Sequence, residues 1–196
     1  SKQKLLFEEI TIGGNLNLKN RIVMAPMTRS MADDDLVPTD AMAEYYGRRA
    51  NTGLIIAEAT IITPLGQGYP NTPGLYSQAQ INGWKKVTDK VHQNDGKIFA
   101  QIWHCGRVSH PVYLNGDKPV APSAVALSGR VPRTNDLQYG MPREITMLKL
   151  KKLSRSLLKL LLTLEKRVLM VLSYMPQTVI YSINSYISKR ITVTMH

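Results

Sequence analysis

Ile98-Phe99-Ala100-Gln101-Ile102-Trp103 (IFAQIW) is the stretch on which the fold turns. Its residues are nearly all apolar and do not alternate with polar ones, so it reads as a strand covered on both faces. It follows the turn Asn94-Asp95-Gly96 and runs into His104-Cys105-Gly106-Arg107. Upstream, Ser77 with Gln80 three residues later has the form of a capping box. The spacing predicts a helix from there through Ile81, Trp84 and Val87 to His92. Before it, Gly53–Thr60 (GLIIAEAT) is a second buried strand. Thr39 or Asp40 can cap a helix through about Arg49, with Ala41, Met42, Tyr45 and Tyr46 inward, the tyrosines as core rather than site. Arg21–Ala25 (RIVMA), stopped by Pro26, is a third apolar run, and Lys4–Ile12, Gly13-Gly14 and Asn15–Leu18 suggest a short hairpin.

Apolar strands alternating with amphipathic helices imply parallel βαβ units and an α/β fold. Three such units can begin a TIM barrel or half of a doubly wound sheet, and periodicity does not choose between them. Residues 104–145, broken by Pro111, Pro119, Pro122, Pro132 and Pro142, read as a long excursion after the last strand. In a barrel such an excursion lies at the C-terminal mouth, where active sites are built.

With 196 residues, 43% hydrophobic, the chain can bury a core, and 20% charged residues argue against wholesale disorder. No secretory leader is read at the start, and no apolar run reaches the roughly 18 residues of a membrane span. The lone Cys105 excludes an internal disulfide framework and fits a cytoplasmic location. Net charge +11 would suit a nucleic acid partner, but its distribution is uneven. Residues 1–146 carry 16 Lys/Arg against 13 Asp/Glu, whereas 147–196 carry 9 against the single Glu165. All 13 glycines lie at or before Gly140. Two compositions therefore join near Thr146, dividing the chain into 1–146 and a basic tail, 147–196. Leu153, Leu157, Leu160, Leu161, Leu164 and Val168 share one face of a helix drawn through that tail. Such a helix suits a membrane surface or a partner groove, and the alternative reading is a small basic binding protein that uses this tail for membrane or nucleic acid contact. His104, Cys105 and His110 match no standard zinc spacing, and Gly66-Gln67-Gly68 lacks the context of a dinucleotide fingerprint. Neither metal nor a Rossmann nucleotide site is expected.

The strand ends are more specific. Ala25-Pro26-Met27-Thr28-Arg29, Glu58-Ala59-Thr60, Gly68-Tyr69, Pro73-Gly74-Leu75, Gln101-Ile102-Trp103-His104-Cys105-Gly106-Arg107 and Pro119-Val120-Ala121-Pro122-Ser123 occur in this order. Over residues 1–146 the set resembles the old yellow enzyme family of FMN-dependent ene-reductases, similar to N-ethylmaleimide reductase. The resemblance implies the N-terminal portion of a TIM (β/α)8 barrel, about three βα units plus a hairpin, then a tail that is helical or disordered. It also implies FMN as cofactor, NAD(P)H as reductant and an activated alkene as substrate, with no nucleic acid or membrane partner. Carried onto this sequence, backbone at Pro26 and Met27 would pack on the isoalloxazine, and the Thr28 hydroxyl would bond flavin O4 where charge develops on reduction. Ala59 would leave room for the ring, the Gln101 amide would bond its pyrimidine edge, and Tyr69 and Trp103 would wall the substrate pocket.

In the family, Pro142-Arg143-Glu144-Ile145-Thr146 typically continues T-H-A-E-I-E-E. Coded as ACA CAT GCT GAA ATT GAA GAA and stripped of the first C of CAT, that string reads as Thr146–Lys152, TMLKLKK. Codons for Met170–Ser185, read one base back, likewise yield D-G-V-E-L-H-A-A-N-G-Y-L-F-D-Q-F, the family's fourth-strand motif. The tail is therefore expected to be the same gene one base out of step from codon 147, in the gene or in its sequencing. The His/Asn pair that polarises the substrate, the proton-donating Tyr and the phosphate-holding basic residues would all come from beyond that point. The expectation is a chain that cannot close its barrel, is partly folded or aggregated, holds FMN weakly and is inactive.

Overall fold

A computed structural model of the chain describes residues 2–13, 16–149, 151–153, 155, 170–174 and 177–181. It opens on a short helix α1 (Lys2–Leu6), not on a strand from Lys4. KQKLL contains no β-branched residue and consists of good helix formers, so the local preference is helical. The hairpin is confined to β1 (Ile10–Ile12) and β2 (Leu16–Leu18), antiparallel, with Ile10 opposite Leu18. Gly13 sits at φ +57, which a turn between two such short strands requires.

Three parallel strands follow: β3 (Val23–Met24), β4 (Leu54–Ile61) and β5 (Ile98–His104). The apolar runs lie where their sequence placed them, although only two residues of Arg21–Ala25 pair. Between them run α2 (Asp40–Gly47) and α3 (Gln78–Gln93). Thr39 caps α2, its side chain accepting the Met42 N–H, and Ser77 with Gln80 closes a full capping box on α3. On α2 the buried positions are Met42, Ala43, Tyr46 and Gly47, while Ala41 faces out. The difference from the expected face is a rotation of one residue, set by where α3 packs. Gly47 and Gly96 let the layers close: a Cβ on Gly47 would meet Lys90 Cγ at 2.6 Å, and one on Gly96 the Ala50 Cβ at 2.7 Å.

The two faces of the sheet do different work. Ile55, Ala57, Ile98, Ala100 and Ile102 pack against Met42, Tyr46, Trp84, Val87 and Val91 of the helices in the main core. On the opposite face Leu54 and Phe99 pack with Leu18, flanked by Ile10, Ile12 and Leu16 of the hairpin. The hairpin thus covers the N-terminal end of the inner sheet face. Phe99, Gln101 and Trp103 alternate along that face, so Gln101 and Trp103 lie beyond the hairpin toward the C-terminal end.

The excursion after β5 carries one parallel pair, β6 (Val120–Ala121) with β7 (Arg143–Glu144). In the tail, residues 147–149 and 151–153 are helical. β8 (Met170–Tyr174) pairs parallel with β5, from Ala100 opposite Met170 to His104 opposite Tyr174, and β9 (Gln177–Tyr181) returns antiparallel. MVLSY and QTVIY carry β-branched and aromatic residues, which suit strands better than a helix. The sheet order is β3-β4-β5-β8-β9.

Candidate active site

Parallel strands put the C-terminal ends of β3, β4 and β5 on one side, and the candidate residues gather there. Pro26, Met27 and Thr28 lie just past β3; Pro26 and Thr28 are half-buried and Met27 is exposed. Ala59, buried near the end of β4, is in register with Gln101 of β5, and Ile61 with Trp103. A register irregularity between Ile56 and Ala59 re-aims the end of β4. Tyr69 comes from the loop after β4, its ring centroid 5.7 Å from that of Trp103. The structure thus brings Ala59 together with Gln101, and Tyr69 together with Trp103, while Pro26, Met27 and Thr28 follow the C-terminal end of the neighbouring parallel strand β3.

The loop that delivers Tyr69 is held from several sides. Gly68 is packed against the loop after β5; a Cβ there would lie 2.4 Å from the Val108 carbonyl oxygen and 2.8 Å from Cys105 Sγ. The Gln67 amide donates to the Tyr69 carbonyl at 3.0 Å, and the Ser109 hydroxyl donates to the Gln67 carbonyl. Further on, Leu75 N–H donates to the Ile61 carbonyl and Trp84 Nε1 to the Gly74 carbonyl at 3.1 Å.

Two groups at this mouth stand out because sequence reasoning passed over them. Glu58 is fully buried, and its carboxyl is held by Tyr46: the phenol donates to Oε2 at 2.9 Å and accepts the Glu58 N–H at 2.8 Å. Its other oxygen accepts the Arg29 N–H at 3.4 Å, next to Thr28. Burial raises the Glu58 pKa above the carboxylate norm, although the bonds from Tyr46 and Arg29 oppose that shift. An acid inside GLIIAEAT was the signal available in the sequence. Ser30 lies in the left-handed region at φ 54, and its buried hydroxyl has no hydrogen-bond partner among the described residues.

Burial keeps His104 and Cys105 neutral near pH 7. Burial lowers the His104 pKa to about 4, and Nδ1 accepts the Gly106 N–H at 3.0 Å. Burial pushes the Cys105 thiol up to about 12, so it is no nucleophile near pH 7. His110 Nδ1 accepts the Val112 N–H, and no group of three metal-ligating side chains forms among the described residues. The donors that remain are suited to a planar, polar-edged ligand. Among the described residues Trp103 Nε1 is buried without a hydrogen-bond partner, and the Gln101 amide two residues before it offers a donor and an acceptor. Small Ala59 beside them keeps the floor low. These residues fit a flavin ring, with Thr28 and Gln101 able to hold its polar edges.

The tail reading meets one contrary contact. Leu153, from the apolar face proposed for a membrane or groove, packs against the main core; the rest of that face lies outside the described residues. No helix among the described residues is long and apolar enough to cross a membrane.

Comparison with known proteins agrees with this geometry. Residues 5–156, which include every candidate residue, match the NADH:flavin oxidoreductase / NADH oxidase family. The flavin oxidoreductase hxnT of Emericella nidulans is 40% identical over 152 residues, 75% of this chain and 39% of that protein. The 12-oxophytodienoate reductase 7 of Oryza sativa subsp. japonica is 43% identical over 134 residues, 65% of this chain and 34% of that protein. Among solved structures, the old yellow enzyme homologue from Zymomonas mobilis aligns with a TM-score of 0.74 at 42% identity, over 79% of this chain and 43% of that one. Morphinone reductase aligns at 0.69 and 39% identity, over 77% of this chain and 42% of that one. The chain thus spans well under half the length of these relatives, and its β3-β4-β5 units correspond to part of their TIM barrel. The chain belongs to the NADH:flavin oxidoreductase / NADH oxidase family, the FMN-binding, NAD(P)H-using old yellow enzyme group.

Proposed function

We propose that these 196 residues form an incomplete ene-reductase site: the first half of an FMN pocket, without the groups that would turn over an activated alkene. The observation that carries this is the register of Ala59 with Gln101, with Thr28 tied beside them through Arg29 and Glu58. Bound FMN would supply hydride transfer from NAD(P)H to the alkene. Pro26 and Met27 would bear on the ring, and the Thr28 hydroxyl would donate to flavin O4. The Gln101 side chain would bond the pyrimidine edge, and Tyr69 and Trp103 would wall the substrate side and exclude water.

The same reading assigns 147–196 to the family's coding sequence one base out of step. Supporting it is the charge and glycine discontinuity near Thr146. On this reading the polarising His/Asn pair and the proton-donating Tyr are not encoded in the tail. Among the described residues β3 and β9 bound the sheet, so each has one edge without a strand partner. The membrane-surface alternative is disfavoured by the Leu153 contact with the core.

The test is to purify the 196-residue chain and titrate it with FMN, following flavin fluorescence and NADPH-driven reduction of 2-cyclohexenone. Weak flavin retention and no turnover are expected. A yellow monomer that reduces the enone would refute the reading. Intact mass of the natural product, or resequencing across codon 147, tests the frame.

A further inference from the structure

Among the described residues Glu58 is the one buried acid of this sheet, and burying a carboxyl is costly unless its oxygens are hydrogen-bonded. An apolar side chain of similar volume would satisfy packing at less expense. Two partners account for both of its oxygens: the Tyr46 phenol on Oε2 and the Arg29 backbone N–H on Oε1. The first is a lock, because the same phenol also accepts the Glu58 N–H, fixing the carboxyl to its own backbone and to α2. The second reaches out of β4 to the segment after β3. There Arg29 is further held by its guanidinium 5.4 Å from the Tyr45 ring centroid, with Arg49 3.8 Å from the same centroid. Ser30 keeps a left-handed backbone beside it, a conformation that needs support from its surroundings.

We infer that Glu58, locked by Tyr46, is a positioning residue that tethers the Thr28–Ser30 backbone and so sets the direction of the Thr28 hydroxyl. The Tyr46 link is buried and the Arg29 link part-buried, so solvent competes little with the first and only partly with the second. Ala59 is the next residue along β4, so one short stretch supplies both the floor of the site and the anchor for its hydroxyl donor. Glu58 touches no ligand in this role; it acts through Arg29. The importance of Thr28 rests on the proposed flavin reading, but the tether itself is a property of the free chain.

The test is amide hydrogen exchange on the full 196-residue chain without FMN, so that failure of the tether and failure of flavin binding are seen separately. Glu58→Gln keeps the shape but has one acceptor oxygen for two donors. The shorter Tyr46 bond is expected to retain that oxygen, leaving the Arg29 N–H without a partner. Exchange at residues 28–30 is expected to rise at least about tenfold, with Val87–Val91 of α3 near the wild-type rate. Tyr46→Phe, which keeps the carboxyl but removes its lock, should give a smaller rise at the same residues. The Arg29 amide proton resonance should move upfield in Glu58→Gln, a signature that general loosening of the core does not produce. Unchanged exchange at 28–30 in both variants, or an equal rise in α3, overturns the inference.

Discussion

Gly68→Ala is the sharpest test of how the mouth is assembled, because two opposing effects can be weighed from the structure. An added Cβ would lie 2.4 Å from the Val108 carbonyl oxygen, 2.7 Å from Cys105 Cβ and 2.8 Å from Cys105 Sγ. The first neighbour is backbone and cannot rotate away, so the loop after β5 must shift. Overpacking of this kind costs about 1–3 kcal/mol. Against it, replacing Gly by Ala restricts the unfolded chain and returns about 0.4–1 kcal/mol, since Gly68 needs no left-handed backbone. The net expectation is a loss of about 1–2 kcal/mol, localised to the contact between the two loops. The Cys105 N–H, bonded to the Gly66 carbonyl at 2.9 Å, and the Val108 N–H, bonded to the Cys105 carbonyl at 3.0 Å, report on it directly. Their hydrogen exchange should speed up about 5- to 30-fold, while amides within α3 keep their rates. The Tyr69–Trp103 ring contact should loosen in step, shifting Trp103 emission. Wild-type exchange at Cys105 and Val108 would refute the view that this glycine is required by close approach.

Other perturbations follow from the same contacts. His104 has its pKa lowered from an ordinary 6.5 to about 4, so its neutral form is the folded one. Stability should be full above pH 6.5 and fall as pH drops toward 4, by about 3 kcal/mol in urea titrations, with His104→Asn flattening that slope. Ser77→Ala removes the acceptor of the Gln80 N–H and half of the capping box. It should cost about 1 kcal/mol, read as a lower urea midpoint with an unchanged slope. Trp84→Phe strips the buried Gly74 carbonyl of its donor. It should destabilise the chain by about 1–3 kcal/mol and increase exchange at Leu75, adjacent to the orphaned carbonyl.

The sequence by itself determined the strands, helices and caps of residues 21–104, because buried runs such as IFAQIW and a capping box such as Ser77–Gln80 are local signals with local physical causes. It also exposed the break near Thr146, since charge and glycine usage need no coordinates. The N-terminal strand was misplaced because Lys2–Leu6 has helical propensity that a hairpin pattern hides. Tertiary structure alone decided which face of the sheet each residue serves: the hairpin covers Phe99, and Gln101 and Trp103 lie beyond it on the same face. It alone paired Ala59 with Gln101 and brought Tyr69 to Trp103. The role of Glu58 shows the limit most plainly. In sequence it is an acid in an apolar strand; its meaning depends on partners 12 and 29 residues away. A carboxyl becomes tolerable in a core only when folding supplies its donors, and linear spacing does not record where those donors will stand.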